Sequence, residues 1–426
     1  MVTVLRLCGV LAFLALGLAV AWSAVFAVAR VTTHPGVFLL AGLAAYTAVL
    51  ALGGWLLTRN LAERPRRRAR VVGAAVAMSL VLAPALWEAA TPPPEPDFGP
   101  PPAGLRYWEL PDGTRLAAVR VAGRPQPAGD PVVFLHGGPG VAHLDHDLRV
   151  LGQLADTGRD VWLYDQIGAG RSSRLADPTG YSLDRSVSDL EEVRRRIGTE
   201  RITLIGHSYG ATIAATYLAR HPTRVSGFVA VSPGRLVPEV GDVSGTGMIE
   251  RLTPRQRLAV LGTALQPRAM LTWSLVKADP RAAHAFSGDR EMDARFATLY
   301  RHSAPGLVCE GNRPPSAPDR PGFYANQVPL QITRPAPDIR PALAQVTVPT
   351  LLLKGACDYL PWSIVADYRR SIPDSRLVYF ARSGHQIFTE QESEFLDVVR
   401  AFLADAPLPT PARPDLEPPA SFEGPR

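Results

Sequence analysis

Cysteine is scarce, with three in 426 residues. That excludes a disulfide-dense secreted miniprotein. No spacing of Cys, His and carboxylates matches a metal site, no Gly-rich phosphate loop is present, and no segment repeats. No cofactor and no metal are therefore expected. A basic excess is also missing from most of the chain. Eight Arg against two Glu in residues 1–91 account for the whole net charge of +6, and the remainder is balanced. A nucleic-acid partner needs a basic face on a folded domain, so none is expected. Proline is plentiful at 41, yet 46% hydrophobic and 20% charged residues exclude a collagen-like or wholly disordered chain.

The long hydrophobic runs lie at the N-terminal end. Residues 7–29 and 31–58 carry no charge, with His34-Pro35-Gly36 as a turn between them, and 71–87 is a third uncharged stretch. About 20 apolar residues cross a bilayer, with about 17 as the lower limit. Three transmembrane helices are expected, the third with Trp87 and Glu88 at the interface. The first run is too long for a cleaved signal peptide. Six Arg crowd residues 59–70, whereas 30–35 holds one. Short Arg-rich loops stay cytoplasmic. The N-terminus is thus expected inside the cell membrane, and everything beyond 91 outside.

Residues 91–104 contain seven Pro and read as a stiff polyproline linker. The tail at 405–426, rich in Pro and acids, is expected to be disordered. Cys8 lies in the first apolar run. Cys309 and Cys357 could pair in an oxidising exterior, but proximity is not readable from sequence, and buried free thiols are the preferred reading.

From 105 the pattern alternates. Strands are expected at 106–110, 115–121, 131–135, 161–164, 201–205 and 225–231, with helices at 183–197 and 211–220. The alternation pauses from 235 to about 345, a Pro- and Arg-rich stretch with short helical patterns at 253–265 and 290–301. It resumes with strands at 350–354 and 376–380 and helices near 362–371 and 389–403. Strands alternating with helices imply an α/β fold, a mostly parallel sheet covered on both faces. The expected organisation is a membrane region at 1–90, a linker at 91–104, core segments at 105–234 and 346–404, and a helical cap insertion at 235–345.

Gly206-His207-Ser208-Tyr209-Gly210 is a G-x-S-x-G pentapeptide between a strand and a helix. A chain turning so sharply leaves no room for Cβ atoms beside the serine, hence glycine on both sides. A serine hydroxyl needs a base to take its proton. His385, in Ser383-Gly384-His385 after the last strand, is the candidate. An imidazole in turn needs a carboxylate to fix its tautomer. Asp358, following the strand TLLLK, is preferred to Asp374, which fits an Asx turn before a strand. Two backbone N–H groups should face the oxyanion: that of Tyr209, where the helix dipole adds positive potential, and that of Gly138 in HGGPG. Residues 165–172 read as support for a loop.

HGGPG, DQIGAGRS, GHSYG, GACD and SGH, in this order, resemble the α/β-hydrolase fold family, specifically its prolyl aminopeptidase (proline iminopeptidase) branch, over 105–403. The resemblance implies a Ser208, His385, Asp358 triad beneath a helical cap. It also implies cap glutamates that hold a free N-terminal amine. Here the corresponding segments carry Lys277 and Ala297, leaving Glu250, Glu291 and Glu310 as substitutes. The expected protein is a membrane-anchored serine hydrolase whose partners are a small peptide or amide and the lipid bilayer. An esterase or lipase of small acyl esters is the alternative, and a non-catalytic membrane sensor a third. Ser208 argues against epoxide hydrolases and dehalogenases, which resemble relatives with an Asp nucleophile.

Overall fold

Apolar runs unbroken by polar alternation form the centre of the sheet, because strands buried on both faces have no solvent side to mark. The computed structural model describes residues 2–58, 100–124, 129–237, 245–316, 318, 320–332 and 336–426. The chain divides into two compact units, Met1–Pro94 with Ala264–Glu291, and Glu95–Thr263 with Met292–Arg426.

In the first unit, α1 (Val2–Ala29) and α2 (Pro35–Thr58) pack side by side. Their segments Cys8–Ala29 and Pro35–Leu57, of 22 and 23 residues, are long and apolar enough to cross a membrane. Glycine allows the close approach: a Cβ on Gly42 would stand 2.6 Å from a Val25 methyl. The helices Pro267–Ala278 and Pro280–Phe286 belong to this unit. Phe286 meets buried Phe38 at 6.2 Å between ring centroids. Buried Arg268 donates to buried Glu291 at 2.6 Å. The third apolar run, 71–87, and the Arg-rich stretch 59–70 lie outside the described residues, as does most of the linker.

The second unit holds an eight-stranded sheet. Its strands are β1 (Arg106–Glu109), β2 (Arg115–Val121), β3 (Val132–Leu135), β4 (Val161–Tyr164), β5 (Ile202–His207), β6 (Val225–Val231), β7 (Thr350–Gly355) and β8 (Ser375–Phe380). Their order is β1-β2-β4-β3-β5-β6-β7-β8. β1 and β2 are antiparallel additions; from β4 onward every pairing is parallel. Helices cover it. Leu183–Ile197 starts where the Ser182 side chain accepts from Arg185 N–H and stops at Gly198, φ 79°. Glu392–Leu403 buries Phe395, Leu396, Val398 and Val399 against Val132, Phe134, Leu351 and Val378.

Helices occupy the stretch between β6 and β7, including Pro254–Ala264, Asp289–Ser303 and Phe323–Gln331. Those within 264–291 fall in the unit of α1 and α2. The tail differs from its expected disorder. Arg413 N–H donates to Leu377 O, Trp362 Nε1–H to Leu416 O, Trp362 N–H to Pro425 O, and Glu423 N–H to Ala356 O. Phe422 is buried beside Trp362. Proline-rich chain has few backbone donors; here Arg413 and Glu423 donate from the tail, and Trp362 of the domain supplies the other two.

Candidate active site

The GHSYG segment forms a strained elbow. β5 runs to His207, Ser208 takes φ 53° and ψ −121°, and the helix Tyr209–Arg220 begins at the next residue. A non-glycine residue at positive φ costs about 1–3 kcal/mol and persists only where its surroundings hold it. Ser208 N–H donates to Val231 O, and Ser208 O accepts from Ala211 and Gly234 N–H. A Cβ on Gly206 would lie 2.6 Å from Ala211 Cα, and one on Gly210 would collide with Leu135 O. Both glycines of the motif are sterically required.

The HGGPG loop after β3 borders this elbow. A Cβ on Gly137 would come 2.9 Å from Ser208 Cβ. Gly138 has φ 117°. Among the described residues, no hydrogen bond engages the backbone N–H of Gly138 or of Tyr209. The loop is fixed from the insertion: Gly322 N–H donates to Gly140 O at 2.7 Å and Asn326 Nδ2 to Pro139 O at 2.7 Å. Below it, Gln166 donates through its side chain to His136 O and through its backbone to His136 Nε2. His136 is neutral, its pKa pushed down to about 4 by burial. Burial pushes Asp165 up to about 7, against the Arg171 backbone N–H that favours its ionised form.

His385 and Asp358 are brought together. His385 Nδ1 donates to Asp358 Oδ1 at 2.8 Å, and both residues are buried. Asp358 follows the end of β7, whereas Asp374 is exposed and its carbonyl accepts from Thr350 N–H at the start of that strand. The competing aspartate therefore lies at the opposite end of the strands, where β7 and β8 begin. Between Ser208 and His385 the described residues show no direct hydrogen bond. The link runs through His207, whose Nε2–H donates to His385 O at 3.0 Å and whose ring centroid is 4.9 Å from that of His385. Hydrogen bonds of this kind often tighten only when substrate is bound. His207 is neutral, pushed down to about 3 by burial and then by the neighbouring His385.

Three features of this site were not anticipated from sequence, and a fourth was the less favoured of two readings. Lys354, wholly buried, donates through Nζ to Asp358 Oδ2 at 2.7 Å and to Leu360 O at 2.8 Å. Burial alone would raise the Asp358 pKa; the Lys354 ammonium and the His385 imidazole instead hold it below the usual carboxylate range. Second, Glu390 clamps the histidine loop. Its Oε1 accepts from Gly384 N–H and Ser383 Oγ, and its Oε2 from Cys309 N–H and Asn312 Nδ2. Third, His385 N–H donates to Leu307 O. Fourth, Cys309 and Cys357 form a disulfide, S–S 2.07 Å and Cα–Cα 5.2 Å. This corrects the free-thiol reading: 48 positions apart in sequence, the two cysteines meet because the 307–312 segment lies along the His385 loop. Pairing at i, i+4 across a strand end could have flagged Lys354; the other contacts are tertiary and leave no sequence signal.

Of the substitute glutamates, Glu291 is engaged by Arg268, and Glu250 and Glu310 are exposed. Among the described residues no group of His, Cys, Asp and Glu could hold a metal ion.

Known proteins share this architecture. Residues 130–392 match the family model described as alpha/beta hydrolase fold. The proline iminopeptidase of Saccharolobus solfataricus is 27% identical over 283 residues, covering 64% of this chain and 84% of its own. That of Heyndrickxia coagulans is 27% identical, covering 65% and 91%. Among solved structures, proline iminopeptidase from Mycobacterium smegmatis aligns at 23% identity and TM-score 0.48, over 71% of this chain and 98% of its own. An esterase from Exiguobacterium antarcticum aligns at 22% and 0.47, over 70% and 98%. With more than half its length matched to the family model, this chain belongs to the alpha/beta hydrolase fold family and is a hydrolase resembling the proline iminopeptidases.

Proposed function

We propose that the chain is a membrane-anchored serine hydrolase that cleaves small peptides or amides through an acyl-enzyme. Ser208 Oγ attacks the scissile carbonyl carbon and passes its proton to His385 Nε2. Asp358 Oδ1 holds the His385 Nδ1–H and offsets the imidazolium charge. The N–H groups of Tyr209 and Gly138 receive the oxyanion, where one donor is worth roughly 10²–10³ in rate. His385 then returns the proton to the leaving nitrogen as the C–N bond breaks. In the second half, water loses a proton to His385, attacks the acyl carbon and frees Ser208. The observation that carries this reading is the buried 2.8 Å pairing of His385 Nδ1 with Asp358, next to a serine held at positive φ.

Peptidase activity rests on likeness to the proline iminopeptidases. A second reading, hydrolysis of small acyl esters, is favoured by Lys277 and Ala297 standing where that branch carries glutamates, and by Glu291 being already paired with Arg268.

Anchoring through the N-terminal helices, with the catalytic domain outside the cell, is supported by the lengths of α1 and α2 and by a disulfide of the sort that persists in oxidising compartments.

The test uses the full chain in membranes. Wild type turns over aminoacyl naphthylamides and reacts with a fluorophosphonate probe. Ser208→Ala loses the label and at least about 10³-fold in kcat/KM, roughly 4 kcal/mol, with the fold intact. Unchanged turnover in that variant refutes the mechanism, and turnover of nitrophenyl esters alone refutes the peptidase. Protease added to intact cells removes the catalytic domain; full protection refutes the orientation.

A further inference from the structure

A buried ammonium stands directly behind the Asp358–His385 pair. The chain has only two lysines, Lys277 and Lys354, and otherwise takes its positive charge from arginine. Lys354 lies on β7 with no exposed surface. Its Nζ is 2.7 Å from Asp358 Oδ2, 2.8 Å from Leu360 O and 5.7 Å from the centroid of the Phe422 ring. A compact ammonium on a flexible stem fits such a pocket; a planar guanidinium with five donors does not.

The C-terminal tail closes this pocket. Phe422 is buried, Glu423 N–H donates to Ala356 O, and a Cβ on Gly424 would collide with Asp358 O. Water is thereby kept from Lys354. A charge in a dry setting acts on its neighbours far more strongly than one in solvent.

Resting on the triad reading above, we infer that Lys354 is a positioning residue: it fixes the Asp358 carboxylate and limits the proton affinity of His385, keeping the imidazole free to act as a base at lower pH. The carboxylate divides its two oxygens. Oδ2 takes Lys354, while Oδ1 takes His385 Nδ1 and the Leu360 N–H. With neutral His385 the three side chains carry no net charge. Protonating His385 leaves a net positive charge in a buried cluster, whereas without the ammonium it would leave a neutral pair.

Other ionisable groups face the same histidine. His207 from the end of β5 is neutral, and Tyr359 lies 4.6 Å away between ring centroids. Glu390 reaches the loop only through Gly384 and Ser383, and His143 acts from beyond His207. From the tail, Glu423 turns its side chain to Arg251. Lys354 is the cation that touches Asp358.

The experiment compares wild type, Lys354→Met and Ser208→Ala as full chains in membranes, reading kcat/KM against pH with the best substrate of the panel. An opposite or like charge at this range moves a titration by about one unit or more. The expected result is that K354M shifts the acidic limb of kcat/KM upward by about one pH unit, with kcat lower and KM little changed. An unmoved limb in folded K354M overturns the proposal. If K354M does not fold, Phe422→Ala admits water to the same ammonium; the limb then rises by less, and an unmoved limb in that folded variant overturns it. Failure here is distinct from failure of the triad. An active Ser208→Ala removes the hydrolase mechanism itself, whereas inactive Ser208→Ala with an unmoved limb removes only the role of Lys354.

Discussion

Cys309 is disulfide-bonded to Cys357, the residue immediately before Asp358, so one covalent bond joins the insertion to the loop that bears the carboxylate. The same segment of the insertion holds His385 through Leu307 O. Two loops that come from different strands thus share one buttress.

Reducing that bond should loosen the Asp358 loop and enlarge the unfolded ensemble. Closing a loop of 48 residues stabilises a domain by about 2–4 kcal/mol. The expected outcome is a lower Tm in the presence of reductant, with kcat falling about tenfold. The double variant Cys309→Ser, Cys357→Ser should show both changes and no further response to reductant, measured by thermal unfolding and turnover.

Glu390 satisfies four donors from two separate segments of the chain, 309–312 and 383–384. Glu390→Ala strands the Gly384 and Cys309 N–H groups, and a hydrogen bond to a charged acceptor makes a net contribution of about 1.5–3 kcal/mol, part of which water entering the vacated space restores. A net loss of about 2–3 kcal/mol is expected. Because the His385 loop is what loosens, kcat should fall while KM changes little. Steady-state kinetics and a denaturant titration on the same preparation check both parts.

His207 and His136 predict the response to acid. Burial depresses their folded pKa values to about 3 and about 4, below the 6.5 of a free imidazole. The unfolded chain therefore binds more protons between about pH 6.5 and 4, and stability falls as pH drops through that window. Asp165, raised to about 7, has the opposite sign: its contribution is whole below about pH 3.8 and is lost as pH rises through 7. His207→Gln keeps a donor toward His385 O and does not titrate. Its Tm should decline less steeply between pH 6.5 and 4 than that of wild type; equal slopes would contradict the assignment.

Much of the fold was legible because its signals are local. VVFL, VWLY and ITLIG are continuous apolar runs, as strands buried on both faces must be. Helix 183–197 carries its own start and stop in Ser182 and Gly198. The elbow at Ser208 could be read from two glycines that no other residue can replace. Asp358 differs from Asp374 in following a strand rather than preceding one, and the structure brings Asp358 to His385. What escaped was tertiary. Nothing in Pro-rich composition tells that Trp362 and Ala356 will supply partners to residues 416–425, and nothing in a spacing of 48 tells that two cysteines will meet. The strand expected to end at Ile205 runs on to His207, because the sheet register with β6 continues to Val231.

The insertion stands on two fixed legs, Leu307–Asn312 on the histidine loop and Gly322–Asn326 on the HGGPG loop. Neither can swing away without dismantling the groups it steadies. Both legs belong to the second compact unit, so a change in either would be felt at the same time by the loop ahead of Ser208 and by the loop that carries His385.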